Sequence, residues 1–228
     1  MTEAAHPLDR PIWTALTTRQ AGFSLSNGDV RRYHPSVSPF AASALGTTES
    51  LAGLAELTPP GGQVILQQGE EIAPPPGFVS LRSAATVQML AAHIAGPPAS
   101  FDFEVLTPAD APDMLALALR TQPGPFAERT HELGRFVGVR YEGRLVAMAG
   151  ERMKAGDFTE VSGVCTDPDH RGKGYAAGLM REVARDLLAR GETPFLHAFE
   201  TNTGAIALYE RLGFRVRWRP VLMVMQRT

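Results

Sequence analysis

The stretch Thr166-Asp167-Pro168-Asp169-His170-Arg171-Gly172-Lys173-Gly174-Tyr175-Ala176 joins two glycines and two cations to the start of a helical pattern. Glycine carries no Cβ, so Gly172 and Gly174 let the backbone curl and let a ligand come close to it. The first amides of a helix lack intrahelical acceptors, and the helix dipole adds partial positive charge there. That combination binds a phosphate or pyrophosphate, with Arg171 and Lys173 adding charge at the rim. The plain alternative is a glycine-softened helix entry with two solvated cations. No Gly-Lys-Ser/Thr follows, so this is no Walker loop, and it is no dinucleotide G-x-G-x-x-G either.

Regular punctuation surrounds the stretch. Phe101–Leu106 alternates like a half-buried strand, and Thr107-Pro108-Ala109-Asp110 reads as a capping box that opens a helix through Met114, Leu115 and Leu119. Arg135–Tyr141, a Glu142-Gly143 turn and Arg144–Met153 predict a hairpin, and Phe158–Thr166 a third antiparallel strand. After the glycines, Leu179, Met180, Val183, Leu187 and Leu188 share one helical face, closed by Gly191. Pro194–Glu200 reads as a strand, Thr203–Leu212 as a short helix, and Phe214–Met225 as strand-rich. The order gives an α/β layered fold whose sheet is mixed and mostly antiparallel, with flanking helices.

The chain has 228 residues, 44% apolar and 20% charged, enough to bury a core in one large domain or two small ones. Twenty-two basic residues against 24 acidic leave a net charge of −2, so no global footprint for nucleic acid exists. No apolar run spans a bilayer, and Met1–Arg10 lacks the apolar segment of a signal peptide, which predicts a soluble, cytoplasmic protein with no membrane partner. One cysteine, Cys165, excludes an internal disulfide framework and a Cys-rich zinc site. In residues 1–100, breakers such as Pro59-Pro60-Gly61-Gly62 and Pro74-Pro75-Pro76-Gly77 separate short elements, among them a strand at Gln63–Gln68 and a helical face at Ser50–Leu57. The reading is two domains, a smaller α/β domain at 1–100 of unknown role and a chemical domain at 101–228. The second is long enough to fold alone.

Val161–Ala176, with its following helix, resembles the acyl-CoA-binding motif of the GCN5-related N-acetyltransferase (GNAT) superfamily. The signature Arg/Gln-x-x-Gly-x-Gly/Ala is met by Arg171, Gly174 and Ala176. Downstream, Asn202 and then Ala207-Leu208-Tyr209-Glu210-Arg211-Leu212-Gly213-Phe214 match a second feature, in the right order and at the right separation. The resemblance covers about residues 101–228 and is nearest to the FR47-like branch. Residues 1–100 match nothing in it. They lack its glycine loop and its Tyr-containing helix, and are expected to be an acceptor-site wall or a degenerate GNAT-like half.

The resemblance implies acetyl-CoA, or another acyl-CoA, as cosubstrate, no metal, and N-acetylation of a primary amine by direct attack in a ternary complex. Its pyrophosphate would sit on the amides of the loop Arg171-Gly172-Lys173-Gly174-Tyr175-Ala176. Its pantetheine arm would lie along Val164-Cys165-Thr166 like an added strand, in a sheet splayed open there. Asn202 could reach that arm or simply cap the helix at Thr203. Tyr209 takes the place of the general acid that protonates the departing thiolate, against the reading of a packed aromatic. Phe158-Thr159-Glu160-Val161 resembles the strand opening of histone acetyltransferases, which makes Glu160 the candidate base. Glu151, a water chain and His197 compete for that role. Strand parity places Glu160, Ser162, Val164 and Thr166 on one face, with Cys165, a small buried residue rather than a nucleophile, on the other. Arg215, Arg217 and Arg219 read as a solvated strand face. The acceptor is a small molecule or a peptide amine, and a homodimer is compatible with the sequence. The rival reading is a non-catalytic acyl-CoA-binding regulator.

Overall fold

The computed structural model describes residues 6–228. The first hundred residues give α1 (Pro11–Thr17), β1 (Ser24–Asn27), β2 (Val30–Tyr33), β3 (Ala41–Ser43), α2 (Leu54–Leu57), β4 (Gln63–Gln68) and β5 (Phe78–Leu90). There follow β6 (Glu104–Leu106), α3 (Ala111–Thr121), β7 (Phe136–Tyr141), β8 (Arg144–Ala155), β9 (Phe158–Thr166) and α4 (Tyr175–Ala189). The chain ends with β10 (Thr193–Phe199), α5 (Thr203–Leu212), β11 (Arg215–Trp218) and β12 (Val221–Arg227). The Thr107 capping box is present, with Asp110 Oδ2 accepting from the Thr107 amide at 2.8 Å. Among the described residues no helix is long and apolar enough to cross a membrane.

Nine strands make one sheet in the order β4-β12-β5-β10-β9-β8-β7-β6, with β11 pairing β5 beside this path. Every pair is antiparallel except β9 with β10. β1, β2 and β3 form a separate small sheet, joined to β4 by a parallel bridge between Phe40 and Ile65. The segment around residue 100 lies between β5 and β6, and strands from both sides of it share the large sheet. β5 carries β10 along one side and β11 and β12 along the other.

Burial explains why this long strand escapes a sequence pattern. At its C-terminal end Thr86, Val87, Gln88 and Met89 are all buried, so its residues do not alternate between core and water. Helices cover the sheet on both faces. α4 and α5 supply Leu179, Val183, Leu187 and Leu212 to a core with Val87, Met89, Val137, Ala149 and Val161. On the opposite face α3 packs Met114 and Leu117 against Phe136, Met148 and Cys165. Beside it α1 packs Ile12 and Leu16 against Met153 and Phe195.

Candidate active site

β9 and β10 pair only over Thr193↔Phe158, Pro194↔Thr159 and Phe195↔Glu160. Beyond Glu160 the strands diverge, β10 continuing on β5 and β9 on β8. The expected splay is therefore present, and it leaves the inner edge of β9 without a strand partner. Two cavities meet in this wedge. The larger, about 550 Å³, runs from Val164–Thr166 along the glycine loop to Ala177. The smaller, about 150 Å³, extends toward the N-terminal half between Phe40, Gln67, Thr86, Arg152, Glu160 and His197. Val164, Met180, Asn202 and Tyr209 line both.

The glycine loop is anchored at Asp167. Its amide donates to the Val146 carbonyl at 2.8 Å, and its carboxylate accepts from the Asp169 amide at 3.1 Å and meets Arg120 at 2.7 Å. Gly172 and Gly174 then take φ of 77° and 78°, a region that side chains with Cβ rarely enter. Gly174 is the N-cap of α4 and supplies no capping side chain. The first intrahelical bond runs from the Gly178 amide to the Gly174 carbonyl, so the amides of Tyr175, Ala176 and Ala177 have no acceptor in the helix. All three residues line the larger cavity, and an anion there would meet aligned N–H groups. Arg171 and Lys173 are exposed at the rim, the latter with Nζ 5.4 Å from the centre of the Tyr141 ring. The Tyr175 ring packs edge-on against Phe101 at 4.9 Å.

A bulge in β9 reverses the parity expected from the sequence. Met148 pairs with Cys165 and Gly150 with Ser162, so β9 spends one more residue than β8 around Gly163, which sits at φ 63°. Val164 packs with Val161 in the α4 core, whereas Cys165 belongs to the α3 core. Val164 and Thr166 thus do not share the face of Glu160. Burial pushes the Cys165 thiol up to about 11, consistent with a packed side chain rather than a nucleophile.

Glu160 departs from the expectation of a general base. It is fully buried, its two oxygens accept from Arg152 Nε and Nη2 at 2.8 and 2.9 Å, and His197 Nδ1 lies 2.8 Å away. Burial alone would raise its pKa, but the Arg152 charge and the hydrogen bonds from His197 and Arg152 overcome that and hold it at about 2. A carboxylate so held is a weak proton acceptor. His197 is engaged on both nitrogens, since its Nε2 lies 3.2 Å from the Gln88 amide nitrogen. That amide is oriented by the Leu8 carbonyl, which accepts from its nitrogen, and by Arg217, which donates to its oxygen. The nitrogen facing His197 Nε2 is therefore a donor, and the imidazole is held between Gln88 and Glu160. Arg217 also pairs with Asp9 at 2.5 Å, so it is no solvated residue of an exposed strand face. Glu151 points elsewhere, to Arg190 and Lys154.

Asn202 caps α5, its Oδ1 accepting from the Ala205 amide at 3.2 Å, and it also lines both cavities. Tyr209 lies on α5 at the junction of the cavities. Its hydroxyl bonds to no partner among the described residues, and burial raises its pKa, so the phenol stays protonated. Arg152, Gln88, Phe40, Gln67 and Thr86 carried no motif and were not anticipated. A further cavity of about 210 Å³, between α1 and the β3–β4 region, touches the smaller one only at Gln67. Its charged groups are spoken for: Asp9 pairs with Arg217, and Arg10 donates to the Ser43 and Ala44 carbonyls.

The wedge, the loop and α5 all fall inside residues 136–222, which match the FR47-like protein family. Over 118 residues the chain is 31% identical to the [ribosomal protein bS18]-alanine N-acetyltransferase of Salmonella typhimurium, covering 48% of this chain and 78% of the relative. A putative GNAT-family acetyltransferase from Novosphingobium aromaticivorans superimposes with a TM-score of 0.89 at 46% identity, over 98% of this chain and 99% of that one. The chain belongs to the GNAT superfamily. It is an acetyltransferase of the FR47-like branch. A GCN5-related N-acetyltransferase from Kribbella flavida shares the GNAT fold across 96% of this chain and 95% of its own, with a TM-score of 0.63 at 17% identity. That last likeness concerns the fold alone. The Novosphingobium structure extends the likeness through residues 1–100, so the N-terminal elements are part of a shared architecture.

Proposed function

We propose that this GNAT protein moves the acetyl group of acetyl-CoA to the α-amine of a peptide or protein by direct attack in the wedge between β9 and β10. The observation that carries the reading is the place of Tyr209, which lines both cavities where they meet. The larger cavity takes CoA. The loop amides hold the pyrophosphate, and the free edge of β9 at Val164–Thr166 accepts the amide-rich arm as a strand would. The smaller cavity, walled in part by the N-terminal residues Phe40, Gln67 and Thr86, takes the acceptor.

In the reaction the amine nitrogen bonds to the thioester carbon and the carbon–sulfur bond breaks. Tyr209 donates its proton to the departing sulfur, and the proton lost by the nitrogen returns to the Tyr209 oxygen, which leaves amide, thiol and neutral phenol. The chamber offers no free carboxylate to take a proton from an ammonium ion, since Glu160 is its lining acid and is bound by Arg152 and His197. The acceptor must then arrive neutral. An α-amine with a pKa near 8 presents roughly 200- to 400-fold more neutral amine at pH 7 than a lysine with a pKa near 10.4. The bS18-alanine relative supports the same class, because the amine an alanine residue offers is its α-amine.

The test is release of CoA from acetyl-CoA with two peptides, one with a free N-terminus and no lysine, the other N-terminally blocked with one lysine. Transfer to the first and not the second is expected. Equal use of the blocked peptide, or release without an acceptor, would sink the reading. Tyr209→Phe keeps the ring and deletes the donor. Its kcat should fall by on the order of 10²–10⁴ while CoA affinity holds.

A further inference from the structure

The acceptor chamber is lined by a guanidinium whose hydrogen-bonding capacity the described residues fill only in part. Arg152 lies in a bulge of β8, where Arg152 and Met153, between Glu151 and Lys154, face the single residue Glu160 between Thr159 and Val161. Its backbone is tied down by Gln20, whose Nε2 donates to the Arg152 carbonyl at 2.7 Å while its Oε1 accepts from the Tyr33 hydroxyl at 2.6 Å. One edge of the guanidinium, Nε and Nη2, is spent on Glu160, and Cζ lies 4.9 Å from the centre of the Phe40 ring. The group is therefore fixed both in its plane and against that ring. The remaining corner, Nη1, has no acceptor among the described residues, and the side chain lines the chamber although the residue is only 9% exposed. Nη1 is thus the free donor of a side chain that lines the chamber, and an oxygen of a bound molecule there would accept a charge-assisted hydrogen bond from it.

The charge balance of the floor says which oxygen. Glu160 neutralises Arg152, and His197 spends Nδ1 on Glu160 and Nε2 on Gln88. Gln67 and Thr86 are uncharged and bonded to each other at 3.3 Å. A carboxylate would enter with no cation left to compensate it, whereas a neutral carbonyl gains a charge-assisted hydrogen bond at no such cost.

We infer that Arg152 determines acceptor specificity by receiving on Nη1 the amide carbonyl next to the reacting α-amine. This rests on the α-amine reading above and sharpens it: the acceptor is the first residue of a peptide or an amino-acid amide, not a free amino acid. The guanidinium is suited to the task because its planar fork serves Glu160 and a carbonyl at once. A lysine ammonium, a single point charge, would be drawn to Glu160 alone.

The test compares three small acceptors on the full-length protein: alaninamide, alanine, and 2,2-difluoroethylamine, a weakly basic primary amine without a carbonyl. Rates are expressed per neutral amine. Alaninamide is expected to have a KM at least tenfold below both others, and Arg152→Lys is expected to shrink that advantage toward one. CoA affinity and the melting curve report whether the variant is folded, and the comparison on the unaltered protein decides the matter even where it is not. Equal KM for alaninamide and difluoroethylamine would overturn the role of Arg152 while leaving the α-amine reading standing. Preference for alanine over alaninamide would overturn the neutral carbonyl, and an undiminished alaninamide advantage in folded Arg152→Lys would overturn the assignment to this residue. Transfer to none of them or to any free N-terminal peptide would instead bring down the proposed function itself.

Discussion

The two cavities that meet at Tyr209 are built in different ways. The larger cavity, the proposed CoA cleft, comes largely from one run of chain, Val164–Ala177, and its main instruments are backbone amides exposed by two glycines. The smaller cavity, the proposed acceptor chamber, draws on residues from Phe40 to Leu222, and its instruments are buried side chains that hold one another across strands. A site made of consecutive backbone depends on local geometry and tolerates change around it. A site made of cross-strand side chains exists only when the sheet is complete, so its chemistry and the stability of the fold rest on the same contacts.

The sharpest way to break this contrast is to remove residues 1–100. If the cleft were autonomous, a chain beginning at residue 101 would still bind CoA. The shared sheet argues otherwise, although residues 101–228 are long enough to fold by length alone. Loss of β4 and β5 would unpair β11 and β12, leave β10 only its three-residue pairing with β9, and take Val87 and Met89 out of the α4 core. Large buried side chains are worth about 2–5 kcal/mol each, against a total stability of about 5–15 kcal/mol. The shortened chain is expected to show neither a cooperative melt nor CoA binding. Native-like affinity in calorimetry would establish the cleft as self-sufficient.

Acid titration probes the chamber's dependence on its ion pairs. The Glu160 carboxyl is lowered from 4.5 to about 2, so its ionised form stabilises the fold fully above pH 4.5, and that contribution is lost as the pH falls toward 2. The amount is on the order of 3 kcal/mol at 1.36 kcal/mol per pH unit. Urea midpoints measured from pH 6 to pH 2 should fall more steeply for the native protein than for Glu160→Gln, which will itself be weaker at pH 6 because Arg152 loses its partner. Parallel slopes would mean that the pair contributes no pH dependence.

The difference between the cavities also explains what could be read from the sequence. The loop was legible because Gly172, Gly174, Arg171 and Ala176 are neighbours and their spacing alone specifies a helix entry. β9 and α5 were legible to the residue because apolar periodicity and a capping Asn mark their limits. Face assignment along β9 failed at Gly163, since a bulge leaves no mark in a two-residue alternation. β5 was missed because a strand paired on both sides and buried at one end lacks the alternation that announces a strand. The chamber was illegible for a further reason. Gln88, Arg152 and Glu160 meet through pairings of β5 with β10 and of β9 with β8 and β10, and such pairings are set by the sheet as a whole.

A smaller effect belongs to the cleft. Gly174→Gln puts a side chain at φ 78°, and the space around a Cβ there is open, so the protein itself raises no clash. The cost falls on the backbone conformation and on the approach of the pyrophosphate. CoA affinity should drop at least tenfold, about 1.4 kcal/mol, with the acceptor KM nearly unchanged at saturating acetyl-CoA. Equal loss on both substrates would show that the cleft and the chamber are coupled more tightly than their construction implies.

Asn202 sharpens the comparison at its narrowest point, because it lines both cavities while capping α5. Its two functions use different atoms: Oδ1 accepts from the Ala205 amide, whereas a contact to the CoA arm would use the amide nitrogen. Asn202→Asp keeps an acceptor at the helix start, and the added negative charge suits the helix dipole there. Asn202→Ala removes both functions and should cost about 1 kcal/mol of stability. The informative outcome is the Asp variant. Full stability with several-fold weaker CoA binding would assign the amide nitrogen to the cosubstrate and count Asn202 with the cleft. Native stability together with native CoA affinity would leave Asn202 a cap and nothing more. The side chain of Tyr209 would then be the one polar group on α5 that serves both cavities.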